Sequence, residues 1–245
     1  MKLAAFFAAA RVLPFASLGD LLGTGGALIV APHPDDESLG CGSLIAAATE
    51  AGRSARIVVV SDGAGSHPNS KAYPSEKLRA LREAEALEAA AALGLRSDAV
   101  SFLRLPDRFV PTAGAAAECA VESIAAAAGA VGASALFVTW RLDPHCDHRA
   151  AYALTRAAQR RLDGVRLFEY AIWAERLPLD EEPQGPPRGF RFDARRYFTR
   201  KRAAVDRHRS QVSRLIEDNP EGVMLDPAMV CELVARDEVY LEMAP

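Results

Sequence analysis

Residues 27–37 of the chain read ALIVAPHPDDE. Five apolar residues after two glycines predict a short buried strand over Ala27–Ala31. One histidine and three acids follow directly, and the prolines on either side of the histidine stiffen the backbone there. A run of this kind can be a solvated turn in which Asp36 caps the next helix. In open α/β sheets, however, ligands bind beyond the carboxyl ends of the strands, so this position favours a functional cluster.

Strand and helix patterns alternate along the rest of the chain. Buried strands are predicted at 27–31, 55–61, 99–103, 134–140 and 165–170, and helices at 40–51, 76–93, 113–129 and 147–162. The alternation favours parallel βαβ units, so we expect an α/β protein with a Rossmann-like three-layer fold, a mostly parallel sheet and helices on both faces. A proline-rich loop at 178–187, a helix over 197–216 and an irregular tail are expected to follow.

The composition is that of an ordinary globular protein. The chain has 245 residues, of which 50% are apolar and 25% charged, so one α/β domain over residues 1–245 fits the length. Within it we expect an N-terminal helical extension at 1–24 and a C-terminal segment at 178–245 that covers one sheet edge and the pocket. The net charge of -3 argues against a nucleic-acid partner. A homo-oligomer is compatible with the sequence, which does not determine the oligomeric state.

Compartment signals favour the cytoplasm. The four cysteines are widely spaced and form no CxxC pair, which fits a reducing compartment without a disulfide framework. Residues 1–10 imitate the start of a signal peptide, but Arg11 and Pro14 interrupt the apolar run early, so an extra helix is the simpler interpretation. No stretch of about 18 uncharged apolar residues occurs, and we expect no transmembrane segment.

A second polar cluster follows the strand predicted at 134–140. Residues 143–149 read DPHCDHR, and His145 and His148 are three apart at a predicted helix start, so they can share one face. Both clusters would lie at the same edge of a parallel sheet. Two histidines and an aspartate are a ligand set for catalytic zinc, which makes a water molecule acidic enough to react near neutral pH. Spacing alone leaves open which acids bind the metal.

The two clusters together resemble the signature of the PIG-L/LmbE-like zinc-dependent N-deacetylases. The resemblance is carried by APHPDDE at 31–37 paired with HCDH at 145–148, and it extends over most of residues 27–215. Weaker pieces lie in the order of the family: SDG at 61–63, REAE at 82–85, LPD at 105–107, YAIW at 170–173 and RSQ at 209–211.

The resemblance implies a role for each matching residue. Asp35 would be the general base that takes a proton from water. His145, as an imidazolium, would stabilise the oxyanion and assist the leaving amine, and Asp147 would orient His145. One zinc ion per chain would be held by three residues: His33, Asp36 and His148.

Substrate contacts are implied at two further positions and suggested at a third. Arg82 and Asp107 match positions that bind substrate hydroxyls in the family. His67, on the loop after the second strand, could line a sugar pocket or belong to a mobile surface loop. Cys146 replaces a common proline and is expected to point away from the metal, while His208 is expected at the surface.

The implied reaction is hydrolysis of the acetamide of an N-acetylglucosamine-type sugar or its conjugate. Three alternatives stay open at this point. A metal-dependent phosphoesterase would use similar ligands but bind two ions, an amidase could act on a non-sugar amide, and a sugar-binding module could share the fold without catalysis. The acceptor that carries the sugar is not determined by the sequence.

Overall fold

The structure is a computed structural model that describes residues 1–174, 177 and 185–242. Its strands form one seven-stranded sheet in the order β3-β2-β1-β4-β5-β7-β6. The strands are β1 (Gly26–Ala31), β2 (Ala55–Ser61), β3 (Val100–Leu105), β4 (Ala133–Thr139), β5 (Arg166–Tyr170), β6 (Gly189–Phe192) and β7 (Glu238–Glu242). The first five are parallel, and β7 runs antiparallel to both β5 and β6. The predicted α/β fold class is confirmed.

Helices cover both faces of the sheet. They are α1 (Leu3–Ala10), α2 (Leu18–Leu22), α3 (Asp36–Glu50), α4 (Ser75–Ala92), α5 (Gly114–Val131), α6 (Cys146–Gln159), α7 (Phe198–Val205), α8 (Arg209–Val212) and α9 (Pro227–Ala235). Alternate side chains of β1 belong to different cores: Ile29 packs in the cluster that includes α3, and Leu28 in the cluster that includes α5 and α6. A strand buried on both faces must be apolar throughout, which is why β1 reads as a continuous apolar run.

Among the described residues, α5 is long and apolar enough to cross a membrane by length and composition alone. Its buried residues, which include Ala117, Val121 and Ile124, belong to the core cluster that also contains Leu28 of β1. The same composition therefore serves here as the inner face of a helical layer packed on the sheet. In the segment 1–24, where a helical extension was expected, the chain forms α1 and α2, and Phe6 of α1 stacks on Trp140 with ring centroids 5.7 Å apart.

The structure corrects three sequence expectations about the elements. Helix α3 begins at Asp36 rather than at residue 40. Asp36 and Glu37, which were expected before the helix, therefore lie in its first turn. The helix predicted over 197–216 is broken into α7 and α8, because the chain turns at His208 (ψ 54°) and buries that ring. The expected irregular tail instead forms α9 and β7, whose antiparallel pairing with β5 extends the sheet. Of the predicted loop at 178–187, residues 178–184 lie outside the described residues.

Candidate active site

The loop after β1 holds Asp35 in an unusual backbone conformation. Asp35 has φ 154° and ψ -29°, a region that residues with a side chain rarely occupy. Strain of this kind costs on the order of 1–3 kcal/mol and persists only where the surroundings enforce it. Here the Asp35 N–H donates to Glu37 Oε2 at 3.0 Å, and the Asp35 carbonyl accepts from the N–H groups of Ser38 and Leu39. The tight turn leaves Asp35 and Asp36 at the carboxyl end of β1.

Asp36 lies between two histidines. Its Oδ2 is 3.2 Å from His33 Nδ1 and 3.3 Å from His148 Nε2, and it also accepts the His33 backbone N–H at 3.0 Å. Burial raises the pKa of Asp36, but the two imidazoles outweigh it and hold that pKa far below its usual value. Three residues from two distant segments therefore converge on one point, as expected from the meeting of strand ends.

His148 is held from behind by Asp143, which the sequence resemblance did not single out. The buried Asp143 carboxylate is 3.2 Å from His148 Nδ1 and also accepts the backbone N–H groups of His145, Ile172 and Trp173. Burial lowers the pKa of His148, but Asp36 and Asp143 together raise it to about 9. A carboxylate behind a histidine is the usual partner of a metal-ligating imidazole, and this geometry is the signal that identifies Asp143.

The opposite side of His33 faces two further acids. His33 Nε2 is 3.2 Å from Asp147 Oδ2 and 3.3 Å from Asp107 Oδ1. The Asp147 carboxylate also accepts the backbone N–H of Arg108 at 2.6 Å and that of Val110 at 3.3 Å. Burial lowers the pKa of His33, but the hydrogen bonds that its ring donates to the surrounding carboxylates raise that pKa well above its usual value. The carboxylate of Asp147 is thus directed at His33 and not at His145.

His145 caps the N-terminus of α6. Its Nδ1 accepts the backbone N–H of Asp147 at 3.2 Å, so a neutral ring carries its proton on Nε2. Burial lowers the pKa of His145, and the nearby His33 and His148 rings lower it further, to about 4. The sequence resemblance implied an imidazolium here. In the structure the neighbouring His33 and His148 rings make a further positive charge unfavourable, and the backbone of Asp147 orients the His145 ring.

Arg82 reaches the site from α4 and contacts Asp35. Its Nη2 donates to Asp35 Oδ2 at 3.1 Å and to the Pro34 carbonyl at 3.0 Å, and its Nη1 donates to the Gly63 carbonyl at 2.8 Å. Burial raises the pKa of Asp35 and Arg82 lowers it, with a net value of about 6. The predicted role of Arg82 was to bind a substrate hydroxyl. The buried side chain lines the cavity of the site, and its three hydrogen bonds also hold it against the strained loop.

A cavity of about 260 Å³ is lined by His33, Asp35, Asp36, Arg82 and His145. Asp107, which was predicted to bind a substrate hydroxyl, lies in the wall of this cavity, and its carboxylate also accepts the Gly65 N–H at 2.8 Å. His67 is not among the described lining residues, because it packs against Gly222, where an added Cβ would meet its ring at 2.1 Å. Its neighbour Ser66 takes that place. The lining also includes four residues from the last third of the chain that sequence reasoning did not assign: Trp173, Gln211, Val223 and Leu225.

The expectations for Cys146 and His208 differ in how they compare with the structure. Cys146 is exposed, with Sγ 3.6 Å from the Arg108 carbonyl oxygen, and each of the four cysteines is free. His208 was expected at the surface, but only 1% of it is exposed. Its ring lies against the buried carboxylate of Glu37, and this interaction favours a buried imidazole. No local pattern in the sequence indicates the contact.

The donor atoms present fit a metal ion. In the described part of the chain, the ring nitrogens of His148 lie close to carboxylates but make no hydrogen bond of good geometry, although both are buried. One ring nitrogen from each of His33, His145 and His148 lies within 4.8 Å of the other two. The ligand atoms of two overlapping groups that include Asp147 are equally close to one another. Two imidazoles and a carboxylate are a common set for catalytic zinc, and several acids supply the negative charge that a dication needs.

The mostly parallel α/β sheet with a histidine–aspartate cluster at the carboxyl ends of β1 and β4 is the arrangement that the resemblance to LmbE-like proteins implies. The sequence matches the family model described as PIG-L: GlcNAc-PI de-N-acetylase over residues 28–159, and the chain belongs to this family. No curated protein matches the chain.

Solved structures share the fold. N,N'-diacetylchitobiose deacetylase from Pyrococcus horikoshii is 19% identical with a TM-score of 0.65, and the match covers 89% of this chain and 84% of that one. A conserved protein from Thermus thermophilus is 29% identical with a TM-score of 0.57, over 76% and 80% of the two chains. The 4-carboxy-2-hydroxymuconate hydratase GalB from Pseudomonas putida is 19% identical with a TM-score of 0.57, over 89% and 94%. The fold is therefore shared by proteins with different reactions.

Proposed function

We propose that this protein is a zinc-dependent hydrolase that removes the acetyl group from an N-acetylated amino sugar or its conjugate. The observation that carries the proposal is the position of Asp35, which lines the same cavity as His33 and Asp36 and has a pKa of about 6. A carboxylate with that pKa is largely ionised at neutral pH yet basic enough to accept a proton. Membership of the de-N-acetylase family supports the choice of an acetamide.

Zinc would be held by His33, Asp36 and His148, whose ligand atoms meet at the carboxyl end of β1. Bound there, zinc supplies Lewis-acid polarisation of an amide carbonyl and lowers the pKa of water. The Asp143 carboxylate, 3.2 Å from His148 Nδ1, fixes the orientation of that ring and leaves Nε2 to face Asp36.

The residues around this centre supply the proton transfers. The Asp35 carboxylate takes a proton from the attacking water, and Arg82 holds that carboxylate in place through its 3.1 Å hydrogen bond. The neutral His145 ring donates from Nε2 to the oxygen on which negative charge develops, because its Nδ1 already accepts the Asp147 N–H. The amine leaves with the proton that Asp35 gained, which returns Asp35 to its ionised form.

The cavity supports a small, amphipathic substrate. At about 260 Å³, it lies just below the roughly 300–1,000 Å³ of drug-sized ligand sites, so it suits one sugar ring rather than a whole glycoconjugate. Ser66, Asp107 and Gln211 offer hydrogen-bonding groups, while Trp173 and Leu225 offer apolar surface. A pyranose has polar hydroxyls and apolar C–H faces that match these two kinds of wall.

Acetate release from a panel of N-acetylglucosamine conjugates tests the proposal. We expect release by the zinc-loaded protein, its loss on treatment with a chelator, and its recovery when zinc is returned. Asp35→Asn should keep the zinc content and lose at least about 100-fold in kcat, as expected for loss of a general base. Asp98→Asn, at an exposed carboxylate whose side chain is 71% accessible, is the matched control and should stay active.

Other outcomes of the same assays would overturn the proposal. Release of phosphate from phosphate esters, with two tightly bound ions per chain, would favour the phosphoesterase. Acetate release from simple non-sugar amides alone would favour a general amidase. Sugar binding without turnover in the zinc-loaded protein would indicate a sugar-binding module that is not catalytic.

A further inference from the structure

A series of buried side chains connects the strained Asp35 to His208, in the last third of the sequence. Glu37 Oε2 accepts the Asp35 N–H at 3.0 Å. Glu37 Oε1 accepts the Ser38 hydroxyl at 2.7 Å and lies 3.1 Å from His208 Nε2. Glu37 and His208 are each 1% exposed, and Ser38 is fully buried. Glu37 is therefore held at both carboxylate oxygens, one toward Asp35 and one toward His208.

In the described part of the molecule, the His208 ring contacts both Glu37 Oε1 and Ser38 Oγ through Nε2, each at 3.1 Å. Its Nδ1 is buried without a partner, so the ring interacts through Nε2 alone. The surrounding backbone fixes its position, because the His208 N–H donates to the Val205 carbonyl and its carbonyl accepts from Gln211 and Val212. Burial of a carboxylate is costly unless it is well hydrogen-bonded, and His208 adds an interaction at Glu37 Oε1 beside the hydrogen bond from the Ser38 hydroxyl.

We infer that His208 is a positioning residue for Asp35, acting through Glu37. The pair keeps an acceptor in front of the Asp35 N–H and so holds the strained turn in which the Asp35 carboxylate meets Arg82 and the cavity. His208 lies beyond residues 28–159, the part of the chain that the family model matches. The last third of the chain thus completes a site whose chemistry lies in the first two thirds. The inference rests on the proposed function only for the role of Asp35 as base.

Two substitutions at His208 separate positioning from simple stability. His208→Leu fills the space but removes the donor to Glu37, and we expect kcat to fall about 10- to 100-fold while KM and zinc content stay within twofold. His208→Gln keeps an N–H donor and should recover most of kcat. Arg207→Ala, at a neighbouring side chain that is 53% exposed, is the matched control and should match the wild type. Should His208→Leu not fold, His208→Asn, whose shorter amide falls short of Glu37, takes its place.

Crystal structures of the same variants give a readout that does not depend on activity. In His208→Leu we expect Glu37 to turn away and Asp35 to leave its conformation near φ 154°. An unchanged Asp35 backbone in that variant would overturn the inference, as would a loss of kcat that follows zinc content or equal losses in His208→Leu and His208→Gln. If the wild type releases acetate from no substrate, the proposed function fails, while the structures still decide the role of His208.

Discussion

Replacing Arg82 by methionine should move the acid limb of the pH–rate profile upward. In the structure burial raises the pKa of Asp35 and the Arg82 guanidinium opposes that rise, leaving the pKa at about 6. Because a general base must be ionised, kcat/KM of the wild type should increase as the pH rises through about 6. Without the guanidinium, burial acts alone and the ionised form is reached only at higher pH.

The 3.1 Å contact between Arg82 Nη2 and Asp35 Oδ2 sets the size of this effect. A hydrogen bond to a charged group contributes about 1.5–3 kcal/mol. Since about 1.36 kcal/mol corresponds to one pKa unit, the acid limb should move up by about 1–2 units. At pH 7 the ionised fraction of Asp35 would fall from about nine tenths to between about one half and one tenth, so kcat/KM should fall about 2- to 10-fold.

The assay is acetate release from pH 5 to 9 by wild type, Arg82→Met and Arg82→Lys, with circular dichroism to show that each variant is folded. Arg82→Lys keeps the positive charge, so its acid limb should stay near that of the wild type even if kcat falls. At pH 9 the methionine variant should regain most of its lost kcat/KM. An acid limb at the same pH in wild type and Arg82→Met, or a loss that is equal at every pH, would refute the electrostatic role given to Arg82.

Three further predictions concern metal binding and packing. His33→Ala should lower the zinc content of the purified protein, measured by elemental analysis, and unchanged zinc would rule out His33 as a ligand. Gly40→Ala would place a Cβ 2.2 Å from a buried tyrosine ring and should lower the free energy of unfolding by about 1–3 kcal/mol; Gly129→Ala, with open space around it, should raise it by about 0.5–1 kcal/mol. Lys201→Met removes the ammonium group that lies 2.9 Å from the buried Glu238 carboxylate, so the free energy of unfolding measured in urea should fall by about 3–5 kcal/mol. An unchanged free energy of unfolding would contradict a stabilising ion pair.

The first five strands were predictable because they contain short apolar stretches: β1, β2, β4 and β5 are largely buried, while β3, at the sheet edge, is only partly buried. Val30 and Val138 lie in runs whose bounds agree with the structure to within one or two residues. The start of α3 was predicted too late because Asp36 and Glu37 look like solvent-exposed turn residues. They enter the helix as buried acids only because two histidines and His208 neutralise them, and those partners are distant in sequence.

The site was only partly predictable. HPDDE and HCDH each follow a strand of the parallel part of the sheet, and parallel strands end on the same side. Their side chains could therefore be predicted to meet at one sheet edge. Which atom faces which partner was not predictable. Asp147 was expected to orient His145; its backbone N–H donates to His145 Nδ1, while its carboxylate faces His33. Such choices depend on ångström-scale packing of loops that share no periodic pattern.

The sequence by itself determined that this is a layered α/β protein with two histidine–aspartate clusters at strand ends, because buried strands and local motifs are written in contiguous residues. Only the tertiary structure decided how those clusters are completed. Asp143 lies behind His148, Arg82 lowers the pKa of Asp35, and His208 supports Glu37 from 171 positions away. Each of these is a contact between a buried charge and a partner distant along the chain, and its energy depends on distance and burial, which a linear pattern does not record.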